Sequence, residues 1–146
     1  MKAALALAAL AATAATPVVP PGSQANIKRT APAVAYVPAR MGFGFVFHGW
    51  ALKQGALHIW FRNRAARQIT FVALRKPGDC TAGREKTFQL AGNKVYWSHT
   101  ATSQQAWRCV TGPKGQVRLV AVTGLPPTKF ADTGLGRVVA SAHRIP

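Results

Sequence analysis

The sequence predicts an all-β domain, a small antiparallel barrel or sandwich of about seven or eight short strands with little helix. Several short segments alternate apolar with polar or small residues, and Gly and Pro residues separate these segments at near-even spacing. Alternation with a period of two is typical of strands, because successive side chains point to opposite faces of a sheet. We therefore expect antiparallel strands joined by tight turns.

The first three predicted strands lie in the first half of the chain. Aromatic residues occupy every second position from Phe43 to Phe47, and apolar residues alternate again at Leu57, Ile59 and Phe61. Residues 69–74 form a continuous run rich in β-branched and aromatic residues, which is typical of a strand that is buried on both faces.

The later strands are predicted from turn residues and β-branched runs. Residues 88–90 and 95–97 bracket Gly92 and Asn93, a turn pair that favours a β-hairpin. The segment 112–115 reads Gly-Pro-Lys-Gly and predicts a second turn. The remaining predicted strands are 107–111, 116–123 and 137–143, and a single helical turn is allowed at 103–106.

Residues 1–25 are interpreted as a signal peptide that is removed on export. Lys2 supplies a positive start, and residues 3–12 contain only Ala and Leu. Cleavage could fall after the alanines near Ala15, or after Ala25, where Ser23 and Ala25 fit a small-x-small site. The apolar run is too short and too rich in Ala for a membrane anchor. The predicted location is therefore secreted, either extracellular or periplasmic.

Residues 26–40 are predicted to form a basic linker rich in Pro and Ala, and residues 41–146 a single β domain. Half of the prolines lie between Thr16 and Arg40, and Lys28, Arg29 and Arg40 make this segment basic. Prolines at this density favour an extended, solvated chain over a helix.

Cys80 and Cys109 are the two cysteines of the chain. An even count in an exported protein predicts a disulfide, which would stabilise the fold by about 3 to 4 kcal/mol in the chain-entropy model. The alternative is a catalytic Cys109 thiolate whose pKa is lowered by Arg108, with a histidine nearby. The oxidising compartment favours the disulfide.

Charge is the most unusual property of the sequence. Nineteen Lys and Arg residues face three acids, Asp79, Glu85 and Asp132, which gives a formal net charge of +16. So few carboxylates disfavour a paired-carboxylate glycosidase and carboxylate-bound metal sites, and no Gly-rich phosphate loop is found. We predict no cofactor and no stable metal, and positive potential over much of the surface.

The candidate anion-binding residues are Arg62, Arg64, Arg67, Arg75 and Lys76. The first three lie in the connection between two predicted strands, so a hairpin would bring Arg62 and Arg67 together as a set of guanidinium donors suited to phosphate or carboxylate. The other two end the second of these strands. The alternative is a solvated loop whose charges keep the protein soluble.

His58 and Trp60 share one face of their predicted strand with Arg62. If that face is open, imidazole, indole and guanidinium groups alternate there as in a platform for single-stranded nucleic acid or glycan. Trp60 is equally consistent with a core position.

These observations predict a protein that binds an anionic partner, such as an envelope polymer, a lipid head group, a nucleic acid or an acidic protein, and that is not an integral membrane protein. One alternative is a small secreted hydrolase, for example a ribonuclease or toxin, that uses two histidines and an arginine. The four histidines are His48, His58, His99 and His143. Their spacing is not diagnostic, so no catalytic residue is assigned.

A second alternative is an inhibitor module that docks on an acidic protein. A long loop at 124–136 offers Lys129, Phe130 and Asp132 as its distinctive side chains.

Overall fold

A computed structural model describes residues 16–42, 44–124 and 132–146 of the chain. Three features of the sequence analysis lie outside the described residues: residues 1–15 of the predicted signal peptide, Phe43 at the start of the first predicted strand, and Lys129 and Phe130 of the long loop.

The described residues form helices α1 and α2, one 3-10 turn, and strands β1 to β9. In chain order they are α1 (Pro21–Thr30), the 3-10 turn (Pro32–Val34), β1 (Tyr36–Val37), β2 (Val46–Lys53), β3 (Ala56–Arg62), β4 (Gln68–Arg75), β5 (Lys86–Leu90), β6 (Asn93–His99), β7 (Gln104–Gly112), β8 (Gly115–Thr123), α2 (Asp132–Ala140) and β9 (His143–Arg144).

Seven strands form one antiparallel sheet in the order β2-β3-β4-β8-β7-β6-β5, and β1 pairs with β9 in a separate two-stranded sheet. Strands β2 and β5 form the two edges of the large sheet and do not pair with each other. The sheet is therefore open, and the architecture is sandwich-like and not a closed barrel. The predicted all-β antiparallel class is confirmed.

The hairpin turns follow from residues that tolerate a left-handed backbone. Ala91 and Gly92 have φ values of 51° and 78°, and they join β5 to β6. Gln54 and Gly55 have φ values of 53° and 78° and join β2 to β3 in the same way. Positive φ at both central residues is the geometry that matches the twist of paired strands. The predicted hairpin at residues 88–97 is confirmed, but its turn lies one residue earlier than the predicted pair Gly92 and Asn93, because Asn93 already begins β6.

One face of the sheet is covered by the helices and the small β1–β9 sheet. Phe61, Phe71 and Leu119 are fully buried on this face, where they belong to the same core as Ile27 of α1 and Leu135 of α2. Burial of each large apolar side chain contributes about 1.5 to 3 kcal/mol. The opposite face of the sheet lies away from this layer.

The extended arm predicted over residues 26–40 is wrong in its local structure. Pro20 and Pro21 precede and begin α1, where a missing N–H costs nothing and a fixed φ suits a helix start. Ile27, Val34 and Val37 are buried in the same core as the sheet, so this segment packs on the sheet.

The strand predicted at 137–143 is also wrong, because the chain is helical up to Ala140. Val138 and Val139 are buried against the sheet, and a Cβ on Gly136 would stand 2.7 Å from Leu90 Cδ1. The lack of a side chain at Gly136 lets α2 approach the β5–β6 hairpin closely. Tertiary packing here outweighs the strand preference of the valines. The helical turn predicted at 103–106 is likewise wrong, since β7 begins at Gln104.

Arg108 of β7 reaches the end of α2. Its Nη1 donates to the carbonyl oxygens of Val139 and Ala140, each at 3.0 Å. A guanidinium at this position satisfies carbonyls that lack helical partners and interacts favourably with the helix dipole. Burial lowers the pKa of Arg108 from its ordinary value, yet the group stays protonated and anchors the helix to the sheet.

We expect Arg108→Met to lower the free energy of unfolding by about 1 to 3 kcal/mol, because two charge-assisted hydrogen bonds are lost. Urea denaturation at pH 7 measures this change. Lys94→Met, which removes an equal charge from an exposed site on β6, controls for relief of self-repulsion. Equal stability of the two variants would contradict the anchoring role.

The predicted disulfide between Cys80 and Cys109 is confirmed, with a Cα–Cα distance of 6.1 Å. It holds the loop between β4 and β5 against β7. Cys80 and Trp107 are buried there in a second, smaller apolar cluster, and Trp107 Nε1 donates to the Cys80 carbonyl oxygen at 2.8 Å. The disulfide also removes the alternative of a catalytic Cys109 thiolate, since the described cysteines contain no free thiol.

Replacing both cysteines by alanine should lower stability by about 3 to 4 kcal/mol, since the bridge closes a loop across a sequence separation of 29 residues. Denaturant unfolding of the variant, compared with the oxidised and the reduced native chain, measures this loss. If the variant and the oxidised chain unfold at the same midpoint, the bridge is not a stabilising element.

Candidate anion-binding face

The face of the sheet opposite the helices is here called the open face. Alternation along β3 directs Leu57, Ile59 and Phe61 to the core, so His58, Trp60 and Arg62 lie on the open face. The neighbouring strands add further open-face residues by their register: Gly49 and Lys53 from β2, Thr70, Val72 and Leu74 from β4, and Arg118, Val120 and Val122 from β8. His58 and Trp60 are half-buried and Arg62 is exposed.

One side of the open face is covered by the loop between β4 and β5. Trp107 is fully buried beneath this loop, and the Arg118 guanidinium lies over its ring at 4.3 Å from the ring centre. Burial lowers the pKa of Arg118, and its buried Nε has no hydrogen-bond partner among the described residues. Arg118 therefore places a positive charge at the border between the covered and uncovered parts of the face.

Arg62, Arg64 and Arg67 form the hairpin cluster, at the turn between β3 and β4. Asn63 organises this turn, because its Oδ1 accepts hydrogen bonds from the backbone N–H groups of Ala65 (3.1 Å) and Arg67 (3.0 Å). All three arginines of the cluster are exposed. Arg62 Nε donates to Gln68 Oε1 at 3.1 Å, a neutral acceptor that leaves its charge without compensation.

A groove lies at the opposite end of the same strands. It has a volume of about 730 Å³ and is lined by Lys53, His58 and Arg75, with Val72 and Leu74 also contributing. Lys53 and Arg75 are exposed. Lys53, Arg75 and the imidazole of His58 are here called the groove cluster. The groove combines positive charge with an apolar surface.

Trp60 occupies the open face between the two clusters. A Cβ on Gly49 would stand 3.2 Å from Trp60 Nε1, so the indole lies against the bare backbone of β2. The ammonium of Lys53 lies over the ring at 5.9 Å from its centre, a cation–π contact. Trp60 is thus supported by β2 and orients Lys53.

None of the seven strands of the large sheet, as the structure describes them, contains an acidic residue. Asp79 lies in the loop between β4 and β5, where hydrogen bonds from the hydroxyl and N–H of Thr81 lower its pKa. Glu85 ends that loop. These two carboxylates serve the loop, so they do not neutralise the hairpin cluster or the groove cluster.

Glu85 is paired with His99 at the end of β6. Its Oε2 accepts from the backbone N–H of His99 (2.6 Å) and contacts His99 Nδ1 (2.8 Å), and these bonds lower the pKa of Glu85. The His99 ring stacks on Trp97 with 5.0 Å between ring centres. This arrangement fixes the start of β5 to the end of β6.

Because the pKa of Glu85 is lower in the folded chain than its ordinary value of 4.5, the pairing stabilises the fold above that pH and is lost as pH falls through the folded value. We expect the stability difference between the native chain and Glu85→Gln to be small at pH 7 and to decrease as the pH falls from 4.5 through the folded-state pKa of Glu85. Urea unfolding at pH 7 and at a series of pH values below 4.5 tests this. A difference that stays unchanged over the whole series would show that ionisation of Glu85 is irrelevant.

The structure does not gather the histidines into one site. His58 lines the groove, whereas His99 lies on β6 and is engaged by Glu85. Strands β4, β8 and β7 separate β3 from β6, which corresponds to about 19 Å across the sheet. His48 is exposed at a bulge in β2, and His143 belongs to the small sheet. The pair of histidines that the hydrolase hypothesis needs is therefore not supported by any described contact.

The five predicted anion-binding residues fall into two groups. The hairpin turn brings Arg62, Arg64 and Arg67 together, but Arg75 and Lys76 lie at the far end of β4. Sequence reasoning missed Lys53, which precedes the turn residues Gln54 and Gly55, a hairpin signal that would have placed it beside β3. It also missed Arg118, whose alternation with Val117 and Leu119 is visible in the sequence.

No family model, curated protein or solved structure matches the chain. Within residues 16–42, 44–124 and 132–146, no group of three or more His, Cys, Asp or Glu side chains is placed to hold a metal ion. No helix in the same ranges has the length and apolar character needed to cross a membrane.

Proposed function

We propose that this protein binds an anionic polymer or surface outside the cytoplasm, and that the open face of its large sheet is the binding surface. The observation that carries the proposal is the lack of acidic residues in the strands: the open face displays Lys53, Arg62 and Arg118, and no described strand of the large sheet contains a carboxylate to neutralise them. Positive charge without internal partners attracts polyanions, and exposed guanidinium groups form paired hydrogen bonds with oxyanions.

The location outside the cytoplasm rests on the predicted signal peptide, and the disulfide is compatible with an oxidising compartment. Cleavage near Ala15 suits the fold better than cleavage after Ala25, which would remove the buried Val19 and the first half of α1. Envelope polymers, anionic lipid head groups and extracellular nucleic acids are the partners that this charge and location suit. No observation favours the hydrolase hypothesis, because it requires histidines that converge.

Salt dependence of the affinity for long-chain inorganic polyphosphate tests the proposal. Binding should weaken linearly in log Kd against log salt, since neutralised anions release their counterions. Replacing Arg62, Arg64 and Arg67 by Gln should reduce that slope by about 2, at roughly 0.7 per lost contact on a flexible single chain. Fluorescence anisotropy at graded salt concentrations measures both quantities.

The matched control replaces Lys28, Arg29 and Arg144 by Gln. These exposed cations belong to α1 and β9, in the layer that covers the other face, and Lys28 and Arg29 line a comparable groove of about 710 Å³. The control should keep the native slope. If both triple variants flatten the slope equally, binding is a property of total charge and the open face is not the site.

A further inference from the structure

We propose that the ligand is a linear polyanion that spans the hairpin cluster and the groove cluster at once, running along β3 and β4. This inference rests on the proposed function and names the class of ligand, a flexible chain with closely repeated oxyanion groups. The protein recognises the spacing of these charges and does not recognise bases.

The first argument is the placement of the two clusters. The pair Arg62–Gln68 marks the hairpin end of β3 and β4, and Ala56 lies at the groove end, six residues away. At roughly 3.3 Å per residue the two strand ends are about 20 Å apart. The Lys53 ammonium reaches back over the Trp60 ring, so Arg75 marks the far end of the span. A compact anion cannot contact both the hairpin cluster and Arg75, whereas an extended polymer can.

The second argument is the surface between the clusters. On β3 and β4 the open-face positions there are Trp60, Thr70 and Val72, which carry no charge of either sign. The described residues of β3 and β4 include no carboxylate that would repel a polyanion, and the Thr70 hydroxyl, which accepts from Gln68 Nε2 at 3.1 Å, adds a polar contact. A polyanion can therefore lie along this surface without repulsion from β3 and β4, and the cations at the two ends attract it.

The third argument concerns Trp60, whose surroundings favour the recognition of charge over the stacking of bases. A base-stacking platform needs a free ring face, but this indole lies against Gly49 and carries Lys53 over its ring. A base would have to displace the ammonium that the ring orients. Lys53 is instead held ready for an oxyanion in the groove.

The experiment measures affinity for inorganic phosphate chains of graded length at constant salt, starting from triphosphate, which is too short to bridge the clusters. Two linked contacts act as an intramolecular pair, so affinity should rise steeply, by roughly 100-fold, once the chain can span about 20 Å. Lengthening the phosphate chain beyond that point should raise the affinity only modestly, because a longer chain only adds registers in which it can bind.

Three variants locate the two contacts. The first variant removes the hairpin cluster by combining Arg62→Gln, Arg64→Gln and Arg67→Gln. The second removes the charge of the groove cluster by combining Lys53→Gln and Arg75→Gln. Each should abolish the steep rise and leave triphosphate binding at the remaining cluster. The control at Lys28, Arg29 and Arg144 should keep the rise. Circular dichroism checks that each variant is folded.

Two further probes, one without bases and one with bases, test whether binding depends on bases. Polyglutamate and a single-stranded oligonucleotide of matched charge should both show the length dependence, and Trp60→Leu, which releases Lys53 from the indole ring, should weaken the binding of both by a similar factor. Much tighter oligonucleotide binding that Trp60→Leu removes would overturn base-independent recognition.

A native chain that binds polyphosphate without a steep rise, or a cluster variant that retains it, would overturn spanning. In either case the salt-dependent binding at the open face would stand. Absence of binding to any of these anions would instead overturn the proposed function itself.

Discussion

The packing of one face of the sheet against the helices is the interaction on which the rest of the structure depends. A chain with a formal net charge of +16 repels itself, and so few carboxylates cannot offset this with ion pairs. Compactness must come from apolar burial, supplied by side chains such as Phe71 and Leu119 under α1 and α2, and from the disulfide that secures the β4–β5 loop.

The same packing determines where the positive charge is displayed. Alternation along β3 sends Leu57, Ile59 and Phe61 to the covered face and leaves Arg62 on the open face, while other cations lie at the strand ends. Arg108 shows the exception, since it points to the covered side and is used there to hold the end of α2. The chemistry of the open face is therefore a consequence of how the core is built.

Sequence reasoning succeeded where a signal was local. Strands β3, β4 and β8 and the hairpin that joins β5 to β6 follow from alternation and turn residues, and the hairpin cluster follows from three arginines close together in the chain. It failed for α1 and α2, because Pro density and a run of valines pointed away from helix while burial against the sheet favoured it. It missed Lys53 and Arg118 because these residues join the face from separate strands.

The sequence by itself determined the charge excess, the strand periodicity and the pairing of its two cysteines, because each depends on composition, count or spacing. Only the tertiary structure decided which face of the sheet is covered, and that Arg62 and Arg75 lie at opposite ends of the same strands. The reason is physical: strand order and helix docking arise from contacts between distant segments, and local periodicity carries no information about them.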